Sequence, residues 1–171
     1  HISDIDYNTN YYTFKDALQA LKVWSSDHPT HLPLYVMVEL KEDGISDHVK
    51  IAGFKTALKF DLQAMLEVRD EINFIFADNP KQILSPDDFR KNHSSLREAI
   101  TTIGYPKLQE ARGKIVFILM AGERLSDELT KQYPSYKGLP FFTFAEPNKP
   151  EAVFIKVDDP IEHTERIKDL V

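Results

Sequence analysis

Two ionisable side chains two positions apart, Glu39 and Lys41, end an otherwise apolar run, LPLYVMVELKED, that spans residues 32 to 43. Side chains alternate along a strand, so positions i and i+2 share a face, and the end of this strand presents an anion beside a cation. A carboxylate can hold a hard divalent cation while the neighbouring ammonium contacts a phosphate oxygen. Together they offset the charge that develops as a phosphodiester is cleaved. A charged strand end that simply meets water is the commoner use of such residues, so the surrounding elements must decide between the two readings.

Those elements alternate between helix and strand. Thr13 and Asp16 have capping-box spacing, and Phe14, Ala17, Leu18, Leu21 and Trp24 recur at helical intervals, which predicts a helix over 13–24. The run DHPTHLP stops it and leads into the strand, after which EDGISDHVK reads as a polar loop able to close over a site. A second helix is expected over 60–76, buried along Leu62, Met65, Leu66, Ile72, Ile75 and Phe76. Residues 82–84 are a short strand candidate. Ser85, Pro86, Asp87 and Asp88 then supply an N-cap, a first-turn proline and first-turn acids. Ser95 and Glu98 repeat the capping-box spacing before Leu96, Ala99, Ile100 and Ile103, and Gly104 closes that helix.

Residues 114–120 form a continuous apolar run, the pattern of a parallel strand covered on both faces. Beyond it a short helix is expected around 126–132, strands over 141–144 and 152–157, and a last helix from about Pro160 with Ile161, Ile167, Leu170 and Val171 as its apolar face. About five strands in all, alternating with helices, predict an α/β protein with a mainly parallel sheet, either doubly wound or a barrel. Neither GxGxxG nor GxxxxGK[ST] occurs, which removes the main support for a nucleotide-binding doubly wound fold.

The 171 residues, 42% hydrophobic and 28% charged, suffice for one sizeable core, and 1–171 reads as a single domain. A formal charge of -6 with no Lys/Arg run excludes a nucleic-acid partner held by phosphate neutralisation. The longest apolar segments, such as IVFILMA at 115–121, are strand-sized and too short to span a membrane. The absence of cysteine excludes disulfides, thiolate catalysis and Cys-ligated zinc. His1 is not an initiator methionine, so the chain is expected to be processed, trimmed or taken from within a longer polypeptide.

Four stretches in order resemble the calcium-dependent, phosphoinositide-specific phospholipase C family of bacteria and fungi. They are HISDIDYNTNYYTFKDALQALKVWSSDHPTHLPLYVMVELKED, ILSPDDFRKNHSSLREAI, GYPKLQEARGKIVFIL and PEAVFIKVDDP. The specific signals are the opening histidine, the W-x-x-x-x-P-x-H-L-P spacing, the SPDDFR turn and the ARGK that leads into a strand. The resemblance implies a (β/α)8 TIM-type barrel with its site at the carboxyl ends of the strands. It further implies that the chain is the incomplete middle and rear of such a barrel, with the first strands and the last strand supplied by further segments of the same polypeptide. By the same resemblance His1 matches a catalytic histidine that would protonate the leaving alkoxide, Glu39 a Ca2+ ligand, and Lys41 a basic position facing substrate. The implied substrate is a phosphoinositide, cleaved to diacylglycerol and a cyclic inositol phosphate during transient contact with a membrane surface, and the implied location is secreted or periplasmic.

Asp158 and Asp159 follow the late strand candidate. They could face the same mouth, with Asp158 as a substrate contact, or could be an ordinary helix-start sequence. The spacing of His28 and His31 alone permits metal binding, but with no third ligand nearby they read as residues that cap or position their loop. His48, with Asp43 and Asp47, could stand behind the site or belong to a solvated loop, and His93 and His163 read as surface residues. Two competing functions share these features: a glycerophosphodiester phosphodiesterase, which also places Glu-x-Lys at a barrel strand end, and a noncatalytic module that binds a phosphorylated ligand.

Overall fold

The computed structural model describes residues 9–40 and 58–170. Helix α1 (Phe14–Asp27) is capped by Thr13, whose side chain accepts from the Asp16 N–H and donates to the Asp16 carboxylate at 2.7 Å. Strand β1 (Leu34–Glu39) follows, then α2 (Leu62–Ile75), whose N-cap Asp61 accepts from the Ala64 N–H at 2.8 Å. A 3-10 turn (Pro80–Gln82) leads into α3 (Pro86–Arg90), where Ser85 and Asp88 form the reciprocal capping box. Next come α4 (Leu96–Ile103), stopped by Gly104 at φ +77, then α5 (Leu108–Ala111) and β2 (Ile115–Met120). The chain continues through α6 (Glu123–Gln132), a 3-10 turn (Pro134–Tyr136), β3 (Phe141–Thr143) and α7 (Thr164–Leu170).

The three strands form a parallel sheet in the order β1-β2-β3. Register pairs Leu34 with Ile115 and Glu39 with Met120, while Phe141 faces Phe117. Strand β2 is central, so both of its faces are covered and Ile115 to Leu119 are all buried, which accounts for its unbroken apolar run. One face is closed by helices: Phe76 at the end of α2 meets Phe117 edge-on at 5.9 Å, with α1 and α6 packed on α2. The other face carries an aromatic layer in which Phe142 meets Phe89 at 5.0 Å and Phe154 at 5.1 Å, and Phe154 reaches Tyr35 of β1. Strand β1 is only half covered. Leu34, Val36 and Val38 pack against the core, whereas Tyr35 and Met37 are 56% and 58% exposed on the side where Glu39 also points.

Three expected features differ. Residues 82–84 make a single bridge, Ile83 to Ile115, and the Leu84 N–H donates to the Ile115 carbonyl. The Lys114 and Met120 carbonyls accept from β1, so the alternating Ile115 carbonyl faces the edge that β3 occupies further along; the segment adds to that edge rather than forming a strand between β1 and β2. Residues 152–157 are not a strand among the described residues: Ala145 N–H donates to the Phe154 carbonyl and the Tyr105 hydroxyl to the Val153 carbonyl, no ladder pairs them with a strand, and Phe154 is committed to the aromatic layer. The last helix begins at Thr164, not Pro160, and buries none of its described residues; Ile161 is fully outside it and exposed. Asp159, at φ +45, instead accepts the N–H groups of Ile161 and Glu162 and spends those residues on a turn. The described sheet therefore has three strands where five were expected. No helix among the described residues is long and apolar enough to cross a membrane.

The amino ends of β1 and β2 are tied by their incoming loops. The Gly113 N–H donates to the His31 carbonyl at 2.9 Å, and the Arg112 guanidinium donates to the Thr30 carbonyl at 2.9 Å. Gly113, at φ +71, lies so close to Pro29 that an added Cβ would sit 2.2 Å from the Pro29 carbonyl oxygen. Gly104 has a similar φ but open space around it. Gly113→Ala should therefore cost roughly 3 kcal/mol or more of unfolding free energy, against about 1 kcal/mol for Gly104→Ala, in urea denaturation. Equal losses would show that the close approach to Pro29 does not matter.

Candidate functional site at the carboxyl end of the sheet

Glu39 ends β1 with an exposed side chain on the face shared by Tyr35 and Met37. The ladder continues past it, since the Leu40 N–H donates to the Met120 carbonyl at 3.1 Å, and Leu40 is buried. His1, Lys41, Asp43, Asp47 and His48 lie outside the described residues. Asp158 is there to be placed: it pairs with Lys156 at 2.9 Å, and its neighbour Asp159 caps the turn that follows. His28 stacks on Trp24 at 4.5 Å, and its Nδ1 meets the Trp24 carbonyl. His31 has both ring nitrogens engaged: Nδ1 donates to the Leu32 carbonyl, and Nε2 meets the Ser25 hydroxyl at 2.8 Å. Both histidines therefore serve their loop.

Among the described residues no three His, Cys, Asp or Glu side chains gather to hold a metal ion. Calcium takes about six to eight oxygen ligands. Glu39 offers one hard oxygen donor group at the correct end of the sheet, and the described residues by themselves do not make a calcium site.

The same end of the sheet opens into a cavity of about 360 Å³, which begins at Ala121 and Phe144, just beyond β2 and β3. Its charged walls are Glu123 and Asp127 of α6 together with Glu146, Lys149, Glu151 and Lys156 from the segment after β3. Glu39 is not among them. Beneath lies Tyr136, 1% exposed, whose hydroxyl donates to Thr143 Oγ1 at 2.6 Å while Thr143 donates onward to the Phe144 carbonyl. Ser135 and Tyr136 both have left-handed backbones, at φ 51 and 52, a costly conformation for residues with side chains. The structure holds them there from both sides. The Ser135 N–H donates to Glu151 at 2.9 Å, and Arg90 of α3 donates to the Ser135 carbonyl at 3.1 Å while pairing with Asp87. Asp87 in turn accepts the Gly138 N–H at 3.0 Å.

Sequence reasoning missed this cavity because 121–139 shows no period and 152–157 resembles a strand. The signals present were turn residues: Pro134 and Gly138 around Ser135-Tyr136, and Asn148 and Pro150 before Glu151. Nothing in their spacing tells which carboxylate meets which backbone.

Burial pushes the Tyr136 phenol from 10.0 up to about 12, and the nearby Glu151 and Asp127 carboxylates push the same way. A proton held more tightly in the folded state gives stability that is complete below pH 10 and is lost as pH rises through the folded value. Between pH 10 and 12 that loss amounts to roughly 2–3 kcal/mol. Tyr136→Phe should cost about 1 kcal/mol at neutral pH through the lost hydrogen bond and should flatten this alkaline limb. Urea denaturation of both proteins at pH 8 and at pH 10 to 12 checks it, and an unchanged alkaline slope would assign the limb to other groups.

No curated protein matches the sequence. Among the solved structures that share the fold are a Ca2+-dependent phosphatidylinositol-specific phospholipase C from Streptomyces antibioticus, 18% identical with a TM-score of 0.58 over 90% of this chain, and a calcium-dependent phosphoinositol-specific phospholipase C from a Pseudomonas species, 12% identical with a TM-score of 0.56 over 89%. In each case the alignment covers 49% of the other chain, so this chain spans about half the length of those proteins, as an incomplete barrel would. The family profile described as Phosphoinositide phospholipase C, Ca2+-dependent, matches residues 1–171, and the chain belongs to that family.

Proposed function

We propose that this chain is half of a phospholipase C barrel that cleaves a phosphoinositide to diacylglycerol and a cyclic inositol phosphate, with the remaining strands supplied by further segments of the same polypeptide. The observation that carries the reading is the position of Glu39: a carboxylate at the carboxyl end of a parallel strand, on the uncovered face, in a chain of this family. Glu39 would furnish one oxygen ligand of the family's Ca2+, with the others drawn from outside the described residues. When bound, that ion offsets negative charge on the phosphate oxygens. Lys41 would place its ammonium against the phosphate, and His1 would give its proton to the departing alkoxide. Asp158, already paired with Lys156, would reach substrate only by giving up that partner. Contact with the membrane surface would be transient, and the enzyme would work outside the cytoplasm, secreted or in the periplasm.

The test is release of inositol phosphates from phosphatidylinositol vesicles by the complete polypeptide. Turnover should require Ca2+ and should fall at least ~10²-fold in Glu39→Ala, and the 171-residue chain alone should be inactive. Hydrolysis of glycerol diesters in place of inositol lipids would move the assignment to a glycerophosphodiesterase. A folded polypeptide that turns over neither would be a binding module.

A further inference from the structure

Helix α1 is packed on one flank only. Lys22 donates to the Ile75 carbonyl at 2.8 Å and Lys15 lies over the Phe74 ring at 4.6 Å, so this side of α1 faces α2. Phe14, Leu18 and Leu21 face the core. At about 100° per residue, Ala17, Ala20 and Trp24 fall together on the flank away from α2. Trp24 is 44% exposed there, and with Tyr11, Ala20 and Val23 it lines an open groove whose charged residues, Asp16 and Asp27, are both acids. The helix-covered face of β1 has the same deficit. Its Leu34, Val36 and Val38 are only partly buried, whereas Ile115, Phe117 and Leu119 of β2 are fully buried. Strand β1 is also the edge of the described sheet.

We infer that this flank of α1 seats a helix from the part of the same polypeptide outside these 171 residues, its apolar stripe on Tyr11, Ala20 and Trp24 and its Lys or Arg side chains against Asp16 and Asp27. This requires the chain to be half of a larger fold, as proposed above. The solved structures of the same fold align with it over 49% of their length, so about as much polypeptide again remains to be placed. A strand added in parallel to the free edge of β1 needs a crossover connection, usually a helix, and crossovers of one hand set their helices side by side on one face of the sheet. The next place in that layer is beside α1, on the side away from α2. Ala17 and Ala20 let a second backbone come close, and Trp24, stacked on His28 at 4.5 Å, is an aromatic anchor already in place. The acidic rim asks for a basic partner. A second copy of this chain is a poor one, because pairing on the same face would set Asp16 and Asp27 against their like.

Photo-crosslinking in the complete polypeptide tests this, with p-benzoylphenylalanine in place of Trp24 and, as a control, in place of the exposed Phe74 of α2. Illumination should join position 24, within one molecule, to a peptide outside the 171 residues that carries apolar residues at helical spacing together with Lys or Arg; position 74 should give no such product. The chain has no cysteine, so single thiols give a second readout. Ala20→Cys should react with a maleimide about tenfold or more slowly in the native polypeptide than in urea, whereas Glu71→Cys, on an exposed part of α2, should react at nearly the same rate in both. Capture of a peptide from within the 171 residues or of an acidic segment, a covalent dimer, or equal native reactivity of the two thiols would overturn the inference. Hydrolysis of phosphatidylinositol by the same samples reports on the activity separately: a crosslinked and protected flank in a polypeptide that turns over no diester supports the interface while removing the phospholipase reading.

Discussion

The close approach of Gly113 to Pro29 is the constraint on which the rest of the sheet depends. It brings the loop before β1 against the residue before β2, and the first ladder bond, Leu34 N–H to the Lys114 carbonyl at 3.0 Å, forms immediately beyond it. From that bond the register runs without interruption to Glu39 opposite Met120. A slip of one residue would turn Glu39 toward the helices and Val38 toward solvent, because strand side chains alternate. The carboxylate is aimed at one end of the sheet by a contact at the other, about 17–20 Å away for a strand of this length.

The opposite end is held by a second clamp of a different kind. There a strained backbone, not a close approach, must be maintained, and charge does the work. Asp87 and Arg90 reach from a five-residue helix to Gly138 and Ser135, and Glu151 closes on Ser135 from the far side. So short a helix has little stability of its own. Its capping box and the burial of Phe89 in the aromatic layer anchor it, and it can then serve as a rigid bracket for the cavity floor.

The three motifs that look most distinctive in the sequence turn out to build these clamps. W-x-x-x-x-P-x-H-L-P and ARGK meet one another at Pro29, Thr30, His31, Arg112 and Gly113, and SPDDFR supplies Asp87 and Arg90. Helix caps and strand β2 were legible because each depends on residues within a few positions: Thr13 with Asp16, Ser85 with Asp88, Ser95 with the Glu98 N–H. Misread segments were those whose state is set by partners far along the chain. Residues 152–157 have the pattern of a strand, yet Val153 accepts from Tyr105, and Phe154 lies against Phe89, Phe142 and Tyr35. Aromatic packing overrode local propensity there. Of the site, Glu39 could be read from alternation along one strand, whereas Glu151 and Tyr136 could not, because their meeting is a matter of tertiary contact.

The half-covered state of β1 links stability to chemistry. Tyr35, Met37 and Glu39 share one exposed face, so whatever covers the first two must also close over the third. Burying the two apolar side chains would stabilise the assembly by about 2 kcal/mol or more, and the same closure would take the Glu39 carboxylate out of bulk water. A lone carboxylate resists that step, since desolvation without a cation or donors costs more than the neighbouring apolar burial returns. A cover that supplied only apolar surface would therefore bind β1 poorly. One that also supplied oxygen donors and a cation would satisfy the sheet and the carboxylate together, so for this strand covering the apolar face and neutralising Glu39 are one physical requirement.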